Sequence, residues 1–238
     1  MKLVIASRNE HKVTEIKAML SGISDLEIVS LDGYAVPGII EDQDTFLGNA
    51  TKKAVETVKA IEENISLSGL TPPPTAPTSE IFSSMAKTPS EKPQLAKGNL
   101  FPGIAVLADD SGLMVDALDG VPGVYSARYA GEGATSQQLC EKLLHELKNV
   151  PLEKRTAQFT TVLVVAAPDG KILYTAKGVC EGVIIEEMRG TNGFGYDPVF
   201  YYPPLKKTFA ELTPEEKNLH SHRYLALRDL LSKIIKIA

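Results

Sequence analysis

The run Ile104-Ala105-Val106-Leu107-Ala108 leads straight into Asp109-Asp110-Ser111-Gly112. Five apolar residues without a polar break read as a buried strand. Two adjacent carboxylates at the end of such a strand are costly unless something compensates them. The fold must therefore bring partners to this point. Two readings stay open here. The acids are turn and cap residues, or they hold a hard cation such as Mg²⁺, which takes one or two carboxylates plus phosphate oxygens. Glu41-Asp42 supplies further acidic candidates.

The surrounding elements are those of an α/β chain. Lys2 to Ala6 is a short β-type run. Glu10 to Leu20 carries Val13, Ile16, Met19 and Leu20 at helical spacing, after the helix-start residues Ser7 and Asn9. Leu26 to Leu31 predicts a second strand. Thr45 is placed to cap a helix reaching about Glu62, with Phe46, Ala50, Ala54, Val58 and Ile61 on one face. Beyond the acids, Leu113, Val115 and Ala117 alternate as in a strand. Thr135 or Ser136 starts a helix to about Leu147. Ala157 to Ala167, a Pro168-Asp169-Gly170 turn and Lys171 to Ile185 predict an antiparallel hairpin. Thr213-Pro214-Glu215-Glu216 is a strong helix start, and a last helix runs from about Ser221. The sheet should be mixed or antiparallel, with sites at strand ends.

One stretch breaks this pattern. Ser66 to Gly103 holds seven prolines, six serines and four threonines in 38 residues. A connection longer than about 15 residues without structure of its own is uncommon in a compact domain. The segment is expected to be a solvated, mobile insertion, the alternative being a lid or partner-docking piece. Without it, 200 of the 238 residues remain. The chain then reads as one domain of two lobes, covering residues 1–238 with an insertion at 66–103.

The net charge of −5 disfavours a protein that coats nucleic acid, because a basic surface is needed to replace counterions. It leaves room for a small anionic substrate accompanied by a cation. Cys140 and Cys180 stand alone, without CxxC or Cys/His clusters, so structural zinc and a disulfide framework are not expected. The opening MKLVIASRNEHK has too short an apolar run for a signal peptide or a membrane span, and a cytoplasmic location is expected.

Three further segments carry candidate chemistry. Ser7-Arg8-Asn9-Glu10-His11-Lys12 is a polar turn opening a helix, where backbone N–H groups attract phosphate and Lys12 adds a charge. Ser7 or Asn9 serves equally as a plain cap. Gly190-Thr191-Asn192-Gly193-Phe194-Gly195-Tyr196-Asp197-Pro198 lets backbone approach a ligand closely, and Phe194 could stack on a base. The alternative is a surface turn with Phe194 packed inward. Lys217, His222 and Arg223 could face phosphate or a purine carbonyl, or be ordinary helix residues, with Asn218 and Ser221 as caps.

Taken in order, these motifs resemble one family. Ser-x-Asn-x-x-Lys at 7–12 is followed by Glu-x-x-x-Thr-Phe-x-x-Asn-Ala-x-x-Lys-Ala at 41–54 and Ala-Asp-Asp-Ser-Gly-Leu at 108–113. Then come Gly-Val-Pro-Gly-Val-Tyr-Ser-Ala-Arg-Tyr at 120–129, Gly-Phe-Gly-Tyr-Asp-Pro-Val-Phe at 193–200, and Ala-Glu-Leu…Glu-Lys-Asn…Ser-His-Arg at 210–223. The set is similar to the inosine/xanthosine triphosphate pyrophosphatases and covers nearly everything outside Ser66 to Gly103.

The resemblance implies an elongated α/β fold, a mixed sheet with flanking helices and two lobes around a central cleft. It implies a homodimer, Mg²⁺, and hydrolysis of ITP, dITP and XTP to the monophosphate and pyrophosphate. By the same resemblance the turn Ser7, Arg8, Asn9, Glu10, His11 and Lys12 would bind substrate, with Ser7, Asn9 and Lys12 on the triphosphate. Lys53 would point at the phosphates. Glu41 and Asp110 would sit at the metal, with Asp110 as proton acceptor, and Ser111 would touch substrate. Phe194 would stack on the base, Gly195, Tyr196 and Asp197 would shape its pocket, and Lys217, His222 and Arg223 would close over base and phosphates. Neither nucleic acid nor membrane is an expected partner.

The insertion departs from the family, adding roughly thirty residues between the Lys53 helix and the Asp-Asp strand. It is expected to loop away from the cleft and leave activity intact. Rival readings are a related pyrophosphatase for pyrimidine or methylated nucleotides (the Maf type), a nucleotide sensor without catalysis, and a polynucleotide-binding module.

Overall fold

The computed structural model describes residues 2–23, 26–67 and 104–236. The chain divides into two compact units. The first comprises Met1–Asp109, Val162–Ala176 and Leu227–Ala238; the second comprises Asp110–Thr161 and Lys177–Ala226.

The first unit opens on β1 (Lys2–Ala6), α1 (Glu10–Leu20) and β2 (Glu27–Val29). Of the two cap candidates before α1, Asn9 holds the position, its side chain accepting the Lys12 N–H at 3.2 Å. Ser7 Oγ in turn accepts the Asn9 N–H. α2 spans Phe46–Leu67. Thr45 Oγ1 accepts the Gly48 N–H at 3.0 Å, as the cap reading expects. Ala50, Ala54, Val58 and Ile61 recur at helical spacing and are buried with Val4, Ala6, Val106 and Ala108. That stripe holds α2 on the sheet through area removed from water, about 25 cal/mol per Å².

β3 is one strand from Ile104 to Val115. β1 pairs in parallel with β2 and with β3, in the register Lys2↔Ile104 through Ala6↔Ala108. The acidic pair was expected at a strand end. It lies mid-strand instead, because the backbone of Asp109 to Gly112 stays extended.

The second unit holds α3 (Ser136–Glu146), set by a capping box between Thr135 and Gln138. β4 (Thr156–Ala166) and β5 (Ile172–Ile184) are the predicted hairpin; its residues Val162–Ala176 belong to the first unit and the others to the second, and β5 is a single strand. β6 (Phe200–Tyr202) and β7 (Lys207–Thr208) follow, antiparallel to their neighbours. α4 (Pro214–His220) starts with the predicted Thr213/Glu216 capping box, and α5 (His222–Lys236) follows after Ser221, its residues from Leu227 on belonging to the first unit. The unit's core joins Leu113, Leu139, Leu143, Phe159, Tyr196, Phe200 and Phe209. Phe159 and Phe200 lie 4.5 Å apart between ring centroids, within the range that favours aromatic pairs.

The sheet order is β2-β1-β3-β4-β5-β6-β7. It is parallel at one end and antiparallel at the other, the mixed sheet with flanking helices that was expected. Two local expectations change. β2 is shorter than Leu26 to Leu31, because Leu31 enters a 3₁₀ turn. Helix α2 continues five residues past Glu62, through Ser66 and Leu67, which were assigned to the insertion. The rest of the expected insertion, 68–103, lies outside the described residues. Among the described residues no helix is long and apolar enough to cross a membrane.

Candidate active site

Within the first unit, two ammonium groups meet at Asp109. Its carboxylate is 1% exposed, and Lys12 Nζ lies 2.6 Å from its Oδ1. Lys53 Nζ donates to the Asp109 backbone carbonyl at 2.9 Å and pairs with Glu41. Lys12 arrives from the first turn of α1 and Lys53 from α2, both largely buried. The opposite charges of the pair offset much of the desolvation that either ion alone would suffer.

The loop that carries Glu41 is tied down from several sides. Arg8 Nη2 donates to the Val36 carbonyl at 2.6 Å. Asn49, 1% exposed, accepts the Gln43 N–H at 2.9 Å, and Lys52 pairs with Asp42 at 2.8 Å. Arg8 is thus committed to a loop carbonyl. Glu10 and His11 are exposed on the first turn of α1.

Asp110 is 3% exposed, and its Oδ1 accepts the N–H of Ser111 at 2.9 Å. Consecutive strand side chains leave on opposite faces, so Asp109 and Asp110 serve different neighbours. Among the described residues, no group of three or more His, Cys, Asp and Glu side chains is arranged to hold a metal.

The second unit gathers the other predicted residues around Phe194. Lys217 Nζ stands 4.6 Å from the ring centroid and Arg223 Cζ 5.3 Å. Both distances suit cation–π attraction. Lys217 is 4% exposed and bonded to Asp197 Oδ2 at 2.6 Å. The same oxygen accepts the Phe194 N–H at 2.8 Å. Gly193 has φ +75, and a Cβ there would strike that carboxylate, so the turn requires glycine. Gly195 donates its N–H to Ser136 Oγ at 2.8 Å and accepts from Cys140 Sγ at 3.4 Å. Arg223, 2% exposed, donates from Nη2 to Ser111 Oγ at 2.9 Å. The His222 ring is stacked on Phe159 at 4.7 Å. Tyr196 is 3% exposed and its hydroxyl donates to the Ser126 carbonyl at 2.8 Å; burial raises its pKa and keeps the phenol neutral. That side chain buttresses the turn from within the core.

Sequence reasoning did not single out three residues that hold these groups in place. Asn49 ties the Glu41 loop to α2. Ser126 accepts the Leu113 N–H and donates to the Gly123 carbonyl, fixing the segment Tyr196 leans on. Gly178 sits in β5 where a Cβ would strike the His222 carbonyl and the Ala226 nitrogen. A glycine inside a β run marks a close backbone approach and was the readable signal there.

Residues 3–233 match the sequence profile of the Ham1 family. The chain belongs to the Ham1 family. A relative from Leuconostoc mesenteroides, named dITP/XTP pyrophosphatase, is 43% identical, with 98% of this chain and 96% of that protein covered. A solved Ham1 protein structure from Coxiella burnetii is 33% identical with a TM-score of 0.74, both chains covered in full. The Ham1 protein of Staphylococcus aureus, also covered in full, is 32% identical with a TM-score of 0.72. The mixed sheet of this Ham1 chain is therefore the family's fold.

Proposed function

We propose that this Ham1-family protein hydrolyses deaminated purine nucleoside triphosphates (ITP, dITP and XTP) to the monophosphate and pyrophosphate, with Mg²⁺ as cofactor. The observation that carries the reading is the convergence of Lys12 and Lys53 on one strand residue, with Asp110 next in the chain. Two ammonium groups held at one point suit a polyphosphate, and a neighbouring buried carboxylate suits proton transfer. The name of the Leuconostoc relative supports the same substrate class.

The donors suit Mg²⁺. Glu41 and Asp110 offer oxygen alone, the ligand type this hard cation selects, and phosphate oxygens would complete its shell. When bound, the ion supplies positive charge at the phosphate oxygens. Asp110 accepts the proton of the attacking water, most directly for attack at the α-phosphorus. Lys12 and Lys53 then take up the charge that accumulates on the departing pyrophosphate. Ser7 and Asn9 orient the turn that precedes Lys12.

Phe194 stacks on the base, a contact worth roughly 1–3 kcal/mol. Lys217 and Arg223 flank its ring, and Asp197 fixes the turn beneath it. Selection for a 6-oxo purine needs a hydrogen-bond donor, supplied by Arg223, His222 or a backbone N–H. ATP carries an amino group at that position, so donor meets donor and the unpaired groups reject it by orders of magnitude, while GTP keeps the 6-oxo group and is set apart by its 2-amino group. As part of the same proposal the enzyme acts in the cytoplasm as a homodimer.

The deciding experiment is product identification over a panel of ITP, XTP, ATP and GTP, with and without a chelator. Pyrophosphate should appear from ITP and XTP in the presence of Mg²⁺ only, with ATP and GTP poor. Orthophosphate as the first product would reject the reaction.

A further inference from the structure

We propose that Asp109 is a positioning residue: it gathers the ammonium groups of Lys12 and Lys53 before any phosphate arrives, and it holds no metal. The proposal rests on the triphosphate reading above and deepens it.

The two lysines come from helices far apart in sequence, 97 and 56 positions from Asp109. Each has a long, flexible stem whose ordering costs rotamer freedom. Asp109 offers two acceptors at one place, Oδ1 to Lys12 at 2.6 Å and the backbone carbonyl to Lys53 at 2.9 Å. The ordering is therefore already met in the folded chain, which is preorganisation for an anion. An ammonium has three donors. Lys12 directs one at Asp109 and keeps capacity for phosphate oxygens. Lys53 keeps less, since it also pairs with Glu41.

The carboxylate has a second effect. Two ammonium groups at one buried point repel each other, and the negative charge of Asp109 offsets that repulsion. Strand geometry separates this work from that of Asp110, whose side chain leaves on the opposite face and takes the Ser111 N–H.

The test is a double-mutant cycle with Asp109→Asn and Lys12→Met, read as KM and kcat for ITP at saturating Mg²⁺. Asp109→Asn should raise KM about tenfold with less than about threefold change in kcat. In the Lys12→Met background it should change KM by less than about twofold, because it acts through Lys12. Binding of Mn²⁺ alone, followed by electron paramagnetic resonance, should be within about twofold of wild type for Asp109→Asn, as expected of a residue outside the metal's ligand set. An equal KM effect in both backgrounds, or a loss of Mn²⁺ affinity as large as that of Asp110→Asn, overturns the proposal.

Should Asp109→Asn fail to fold, the wild-type protein still decides. Its Lys12 ammonium resonance, assigned by its loss in Lys12→Met, should show slowed hydrogen exchange. Exchange as fast as that of a free lysine overturns the proposal. A wild-type enzyme that hydrolyses neither ITP nor XTP would instead reject the functional reading, while the ammonium resonance would still report on Asp109.

Discussion

Lys217 sets its ammonium 2.6 Å from Asp197 Oδ2, and both side chains are almost completely buried. That carboxylate oxygen also accepts the Phe194 N–H, so one buried anion fixes a helix, a turn and an aromatic ring. Removing one partner of a buried pair leaves the other uncompensated, at a cost of about 3–5 kcal/mol. Lys217→Met should lower unfolding stability by that order, less whatever the Phe194 N–H still supplies to Asp197. Urea unfolding followed by circular dichroism suits a chain without tryptophan. A change below about 1 kcal/mol would show that the pair contributes no more than a surface ion pair.

Asp110→Asn keeps the shape of the side chain and an acceptor for the Ser111 N–H, but removes the base. Turnover of ITP should fall about 10²–10⁴-fold, the usual contribution of a positioned proton acceptor. ITP should still protect the variant against thermal unfolding. Near-normal turnover would take Asp110 out of that role.

Gly178→Ala tests how α5 is seated. The added methyl meets backbone atoms of His222 and Ala226, which have no rotamer by which to yield. Overpacking of this kind costs about 1–3 kcal/mol, and the first turn of α5 must shift with Arg223 on it. The melting temperature should drop, and kcat/KM for ITP should fall by about tenfold or more, since small misplacements of positioning groups are amplified in rate. A variant with normal kcat/KM would show that α5 reaches its place without this close approach.

Burial pushes both thiols, Cys140 and Cys180, up from 9.0 to about 12. At pH 8 the native thiolate fraction is then about a thousandfold below that of the unfolded chain, and the thiolate is the reactive form. A disulfide reagent should leave both thiols unmodified in the native protein and titrate two in urea. The sign for stability follows from the raised folded value. The unfolded chain releases these protons first, so stability should decline as pH rises above about 9 and continue to fall towards 12. Rapid labelling of the native protein would contradict the burial.

Much of the local structure was written in short-range patterns. Asn9 and Thr135, each one of two candidates, and Thr213 cap their helices, because a cap needs only a side-chain oxygen three residues before a waiting N–H. The α2 stripe was legible for the same local reason. Asp109-Asp110 was misjudged as a strand end. Charge and glycine suggested a turn, whereas partners brought by the fold allow the strand to run on to Val115. Tyr196 shows the same limit from the other side. The family resemblance implies that it shapes a pocket; only the fold adds that its ring is core and its hydroxyl is bound to Ser126, 70 positions away.

The sequence by itself determined the inventory: which residues can accept a proton, carry a charge or stack, and which short segments are helix or strand. Those properties depend on neighbours within a few positions. Tertiary structure alone decided the partnerships. Lys12 and Lys53 meet at Asp109, Lys217 meets Asp197, and Arg223 meets Ser111, across 97, 56, 20 and 112 positions. No pattern in a linear chain encodes such pairings, because they exist only once burial of apolar side chains has folded the chain. Burial then makes them matter, since away from water an unpaired charge is the costliest thing a fold can hold.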